Sequence, residues 1–139
     1  MPGLLADEHA DAHLRALVQV CGGPRWREIW STTNVRTYGF ADLKLSQGIS
    51  DLVLWQFCQS EGLLLVTANR NGRGADSLDA TIRLHGIATS LPVLTIADER
   101  LMLVDRSYAE RAGIRLLEIL LELDQFLGTG RLFLPAVPS

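Results

Sequence analysis

The chain is predicted to adopt an α/β fold, a three-layer α/β/α sandwich around a mainly parallel central sheet. Two observations predict it. Short apolar runs of strand length (Leu4-Leu5-Ala6, residues 63–67 and residues 91–96) read as buried strands. Between them lie longer stretches of helical periodicity, and strands alternating with helices imply βαβ units.

Leu4-Leu5-Ala6 ends abruptly at Asp7-Glu8. From His9 to about Val20, the residues Ala10, Leu14, Leu17 and Val18 recur at helical spacing, and Cys21-Gly22-Gly23-Pro24 stops that helix. Trp26, Glu28 and Trp30 alternate with Arg27 and Ile29, which predicts a short second strand. Residues 34–49 are less regular, with Phe40, Leu43 and Leu45 expected to anchor one turn. A connection of this length is often functional. Ser50-Asp51 opens a helix carrying Leu52, Val53, Trp55, Phe57 and Cys58, which closes at Glu61-Gly62.

The strand over 63–67 then runs into a polar loop, and a helix follows from about Ser77 to His85. Another strand ends at Ile96, and residues 97–106 are mixed. The longest helix is predicted from Tyr108 to about Phe126, with Ala112, Leu116, Leu117, Ile119, Leu120, Leu121 and Leu123 covering more than one face. That breadth predicts burial between the sheet and a further layer, with a homodimer through helix 108–126 as one way to supply it. Gly128 and Gly130 end the helix before a last strand, Arg131-Leu132-Phe133-Leu134.

The 139 residues fit a single domain over 1–139, large enough to bury a core without disulfides or metal. Apolar content of 47% and charged content of 21% are ordinary for a globular domain. A net charge of −3 gives no global attraction to nucleic acid or anionic lipid, and a local basic patch remains compatible with it. Cys21 and Cys58 match no metal or redox spacing and read as reduced, buried thiols. No apolar run approaches a membrane span, and the N-terminus lacks the pattern of a secretory signal. A cytoplasmic location with no membrane partner is the expectation.

Asp7 follows a buried strand, on the edge where open α/β sheets bind ligands. It reads equally as the cap of the next helix. Glu8 is expected to point elsewhere, because neighbouring strand side chains alternate faces. Asp51 stands at a helix start, where a carboxylate also favours the free amides and the helix dipole. In the polar loop, Asn69 and Asn71 offer neutral oxygens, and Asp76 or Asp79 a charge. Asp76 also fits the cap of the following helix. Arg70 and Arg73 could meet phosphate oxygens. Gly72 and Gly74 are not followed by the Gly-Lys-Ser/Thr of a phosphate-binding loop. His9 and His13 lie four apart on one predicted helix without a Glu after the first, and read as surface histidines. His85 suits a helix C-terminus.

Taken together, Leu4-Leu5-Ala6-Asp7-Glu8, then Gly48-Ile49-Ser50-Asp51, then Leu64-Leu65-Val66-Thr67-Ala68-Asn69-Arg70-Asn71 resemble a compact PIN-like domain. The resemblance covers about residues 3–96. It implies a metal-dependent endoribonuclease of the toxin–antitoxin type, with an acidic cluster holding Mg2+ or Mn2+ and activating a water against an RNA phosphodiester. By position, Asp7 and Asp51 match two family acids, and Thr67 matches the hydroxyl residue after the central strand. The family has two aspartates where this chain has Asn69 and Asn71, which removes up to two negative charges. Asp76 is the expected replacement, through a loop that Gly72 and Gly74 allow to fold back. The implied set is therefore Asp7, Asp51 and Asp76 on the metal, with Thr67, Asn69, Arg70, Asn71 and Arg73 toward RNA. An antitoxin-like protein is the implied partner.

The same asparagines support an alternative, a catalytically impaired PIN-like domain that binds nucleic acid or protein. A receiver-like phosphoacceptor is a third reading, but it needs an Asp after the third strand and a Lys near the fifth, and Lys44 lies too early.

Overall fold

The computed structural model describes residues 2–68 and 77–137. The elements are, in order, β1 (Gly3–Ala6), α1 (Asp11–Cys21), α2 (Arg27–Thr33), β2 (Thr37–Tyr38), α3 (Asp51–Glu61), β3 (Leu63–Ala68), α4 (Ser77–His85), β4 (Val93–Ile96), α5 (Glu99–Val104), α6 (Arg106–Leu121) and β5 (Arg131–Leu134). The strands form one sheet in the order β2-β1-β3-β4-β5, and every pairing is parallel. The α/β class and the parallel sheet are therefore as predicted.

Alternation along each strand builds two cores. Leu4, Ala6, Leu64, Val66, Leu94 and Ile96 point to one face and pack with α1, α5 and α6. Leu5, Leu63, Leu65 and Val93 point to the other and pack with Leu54, Trp55 and Cys58 of α3 and Leu78 of α4. Helices on both faces make the three layers, and parallel strands covered on both sides are apolar throughout.

The predicted strand over Trp26–Trp30 is instead helix α2. Its alternating pattern is too short to decide between periods of 2 and 3.6, and Trp26 and Trp30 both reach the first core from a helix. The second strand lies in the irregular segment, as the two residues of β2 on the sheet edge. The expected turn is a single 3-10 turn over Ala41–Leu43, beside buried Phe40. Residues 97–106 hold α5, capped by Asp98, whose Oδ1 accepts from the amides of Arg100 and Leu101 at 3.1 and 3.0 Å. The long predicted helix is α6 followed by a 3-10 turn, Leu123–Gln125. Most of its apolar surface packs with α1, α2, α5 and β5 of the same chain, while Leu121 stays exposed.

The first three crossovers share one hand. β1 passes leftward to β2 over the first face, while β2 to β3 and β3 to β4 pass rightward over the second, through α3 and α4. The crossover from β4 to β5 also runs rightward, but through α5 and α6 on the first face, so its hand is opposite, a rare arrangement. Among the described residues, no helix is long and apolar enough to cross a membrane.

Candidate functional site

β1 sends the chain to one side of the sheet and β3 to the other, so the crevice at their carboxyl ends is the topological switch point. Asp7 stands there. Its amide donates to the Val66 carbonyl at 2.9 Å, which continues the β1–β3 ladder one residue past the strand and sets Asp7 beside the end of β3.

Asp7 does not cap α1. Its Oδ1 accepts from the His9 amide at 3.0 Å and closes a local turn, while the residue flanking the helix is Ala10, with no side-chain cap. Burial holds the Asp7 carboxyl above its ordinary range. The amide and charge of His9 pull the other way, and the charges of Glu8 and Asp51 push it up further.

Asp51 arrives by a different route. Ser50 is the cap of α3, its Oγ accepting from the Val53 amide at 3.2 Å, so Asp51 is the first helical residue and its carboxylate is not needed for capping. Instead Asp51 Oδ2 accepts a hydrogen bond from Ser77 Oγ at the start of α4. Ahead of α3 the chain turns at Gly48, whose φ of 77° suits glycine. The Gly48 amide faces both carboxylate oxygens of Glu8, at 3.4 and 3.3 Å. Glu8 therefore lies on the same edge as Asp7 rather than elsewhere: β1 ends at Ala6, and strict alternation no longer applies. Sequence reasoning missed Glu8 and Ser77 as partners of this edge. Only the closeness of Glu8 to Asp7 hinted at the first.

Thr67 is buried at the end of β3 and opposite Thr95 of β4, and their hydroxyls are 2.8 Å apart. Asn69, Arg70, Asn71, Arg73 and Asp76 lie outside the described residues. Asp79 forms an ion pair with Arg131 of β5 at 3.2 Å. The two histidines do not share a helix face. His9 precedes α1, whereas His13 is buried rather than on the surface, its Nε2 donating to the Glu99 carbonyl at 3.0 Å. Among the described residues, no cluster of three or more His, Cys, Asp or Glu side chains could hold a metal ion, so a cation here would rest on the Asp7–Asp51 pair and on groups beyond them.

β3 ends on Thr67 and Ala68 and β5 on Leu134, so neither strand carries the acid or the lysine of a receiver. A groove of about 620 Å3 lies elsewhere, between α1 and the α5–α6 junction. Its acids are already engaged: Asp105 caps α6 through the Tyr108 amide at 3.0 Å, and Glu110 pairs with Arg106 at 3.6 Å. The switch-point edge is the better candidate on chemistry. No family model, no curated protein and no solved structure matches this chain.

Proposed function

We propose that this chain is a PIN-like, metal-dependent endoribonuclease that hydrolyses RNA phosphodiesters at the carboxyl edge of β1 and β3. One observation carries the proposal: Glu8, next to Asp7, reaches the Gly48 amide just ahead of α3, so the end of β1 and the start of α3 that carry Asp7 and Asp51 share this edge, and neither carboxylate caps a helix. Burial and the charges of Glu8 and Asp51 hold the Asp7 carboxyl up, a cost that a bound cation would offset.

Mg2+ or Mn2+ is the cofactor, and Asp7 and Asp51 are the residues that would hold it, with Asp76 as the third acid. Two carboxylates suit a hard cation that keeps several waters and takes the rest of its ligands from a phosphate. Bound there, it would supply a water of lowered pKa and neutralise charge on the phosphodiester. Glu8 and Ser77 hold the loop and the carboxylate that frame the site. Arg70 and Arg73 would take phosphate oxygens, and Asn69 and Asn71 would contact the RNA, whereas Thr67, expected to do so as well, is buried with its hydroxyl on Thr95 and could only brace the end of β3. A cytoplasmic location and an antitoxin-like protein partner belong to the same proposal.

Asn69 and Asn71 favour a second reading, a catalytically impaired PIN-like domain that binds RNA or protein. Incubation of a mixed RNA pool with Mn2+ separates the two. The nuclease predicts cleavage by wild type that is lost in Asp7→Asn and with chelator. Equal cleavage by both proteins would overturn it, and retained RNA binding without cleavage would favour the binding module.

A further inference from the structure

We infer that Ser77 is a positioning residue for Asp51, holding its carboxylate in the orientation that a cation shared with Asp7 requires. The inference rests on the proposed cation site.

Asp51 is the first residue of α3, and its side chain is free to rotate unless something outside the helix holds it. Ser77, the first residue of α4, donates from Oγ to Asp51 Oδ2. Among the described residues, no other hydrogen bond to the Asp51 carboxylate is found, and Oδ1 is the oxygen assigned to the cation. The backbone on the other side is fixed as well, by the Ser50 cap and by Glu8 at the Gly48 amide. The Ser77 hydroxyl thus supplies the one restraint that the backbone cannot, the side-chain rotamer. Groups that orient a metal-binding carboxylate in this way change metal affinity by roughly 10–100-fold when removed.

A purely structural staple between α3 and α4 makes a different prediction, and Ser77→Ala and Ser77→Thr distinguish them. Side-chain NMR couplings of Asp51 report its rotamer without any metal, and Mn2+ titration reports affinity. In Ser77→Ala, Asp51 should change from one rotamer to an average, Mn2+ should bind about tenfold more weakly, and Tm should hardly move. Ser77→Thr, which keeps the hydroxyl, should restore both. A single Asp51 rotamer in Ser77→Ala overturns the inference, as does an averaged rotamer with unchanged Mn2+ affinity. If wild type binds no Mn2+ while the rotamer still depends on the hydroxyl, the cation site fails and the positioning role stands.

Discussion

Thr67 and Thr95, directly opposite each other on β3 and β4, join their hydroxyls at 2.8 Å inside the second face of the sheet. Each is almost fully buried, so removing one hydroxyl leaves the other without its partner. Thr67→Val should cost about 1–3 kcal/mol. The double variant Thr67→Val/Thr95→Val should cost clearly less than the two single changes added together, because no orphaned hydroxyl remains. A urea double-mutant cycle measures this, and additive losses would show that the pair is not coupled.

Asp7 should trade stability for function. Its folded pKa is raised, chiefly by burial, so the folded state gains from the protonated form. That contribution is complete below the ordinary value of 3.8 and is lost as pH rises through the raised folded value. Above that window the ionised carboxylate is a net cost. Asp7→Asn, which keeps an oxygen for the His9 amide, should therefore raise Tm at neutral pH, and the gain should vanish at strongly acidic pH. A Tm series against pH without divalent cations tests the sign, and a lower Tm at pH 7 would contradict it.

Saturating Mn2+ should reverse that order. Ligand at about 100 times its dissociation constant stabilises the folded state by about 2.7 kcal/mol. Wild type should thus gain several degrees in Tm and Asp7→Asn nothing. Equal shifts in the two proteins would place the ion elsewhere.

Gly113 sits where α6 crosses α1, and a Cβ there would lie 2.5 Å from Val20 Cγ1 and 3.1 Å from its Cβ. Alanine is favoured over glycine within a helix by about 1 kcal/mol. Overpacking a tight contact costs about 1–3 kcal/mol, and a β-branched neighbour has little room to yield. Gly113→Ala should accordingly lower the urea midpoint without changing the slope. A higher midpoint would mean that the helices separate at little cost.

Cys21 and Cys58 are free and buried, and burial pushes each thiol up to about 12. Native protein at pH 8 should resist alkylation at both, whereas unfolded protein should react at both within minutes. Rapid labelling of either in the native state would show that its helix opens.

Much of this architecture is visible in the sequence because it rests on local physics. The strands β1, β3 and β4 are dense apolar runs, and α3 has Ser50 before it and Gly62 in a left-handed conformation after it. What escaped depends on contacts remote in sequence. β2 is two residues long and exists through its pairing with β1, so no periodicity announces it. α2 carries too few residues to tell helix from strand by spacing alone. His13 stands three residues after Ala10 and four before Leu17, on the buried face of α1, but a polar side chain there reads as surface until the Glu99 carbonyl of α5 is seen to receive it. At the site, Asp7 and Asp51 could be named from their places at element boundaries. Their link to Glu8 and Ser77 could not, because those bonds join segments whose proximity is a property of the whole sheet.

The reversed hand of the last crossover bears on how the chain emerges during synthesis. Through Ile96 every strand but β5 is present, and α3 and α4 can already cover one side. On the other side only α1 and α2 are available, because α5 and α6 come later. A nascent chain at that length would leave much of the surface of Leu64, Val66, Leu94 and Ile96 to water, a sticky face on an otherwise ordered sheet. The segment of α5 and α6 acts as a built-in escort, made only after the surface it covers.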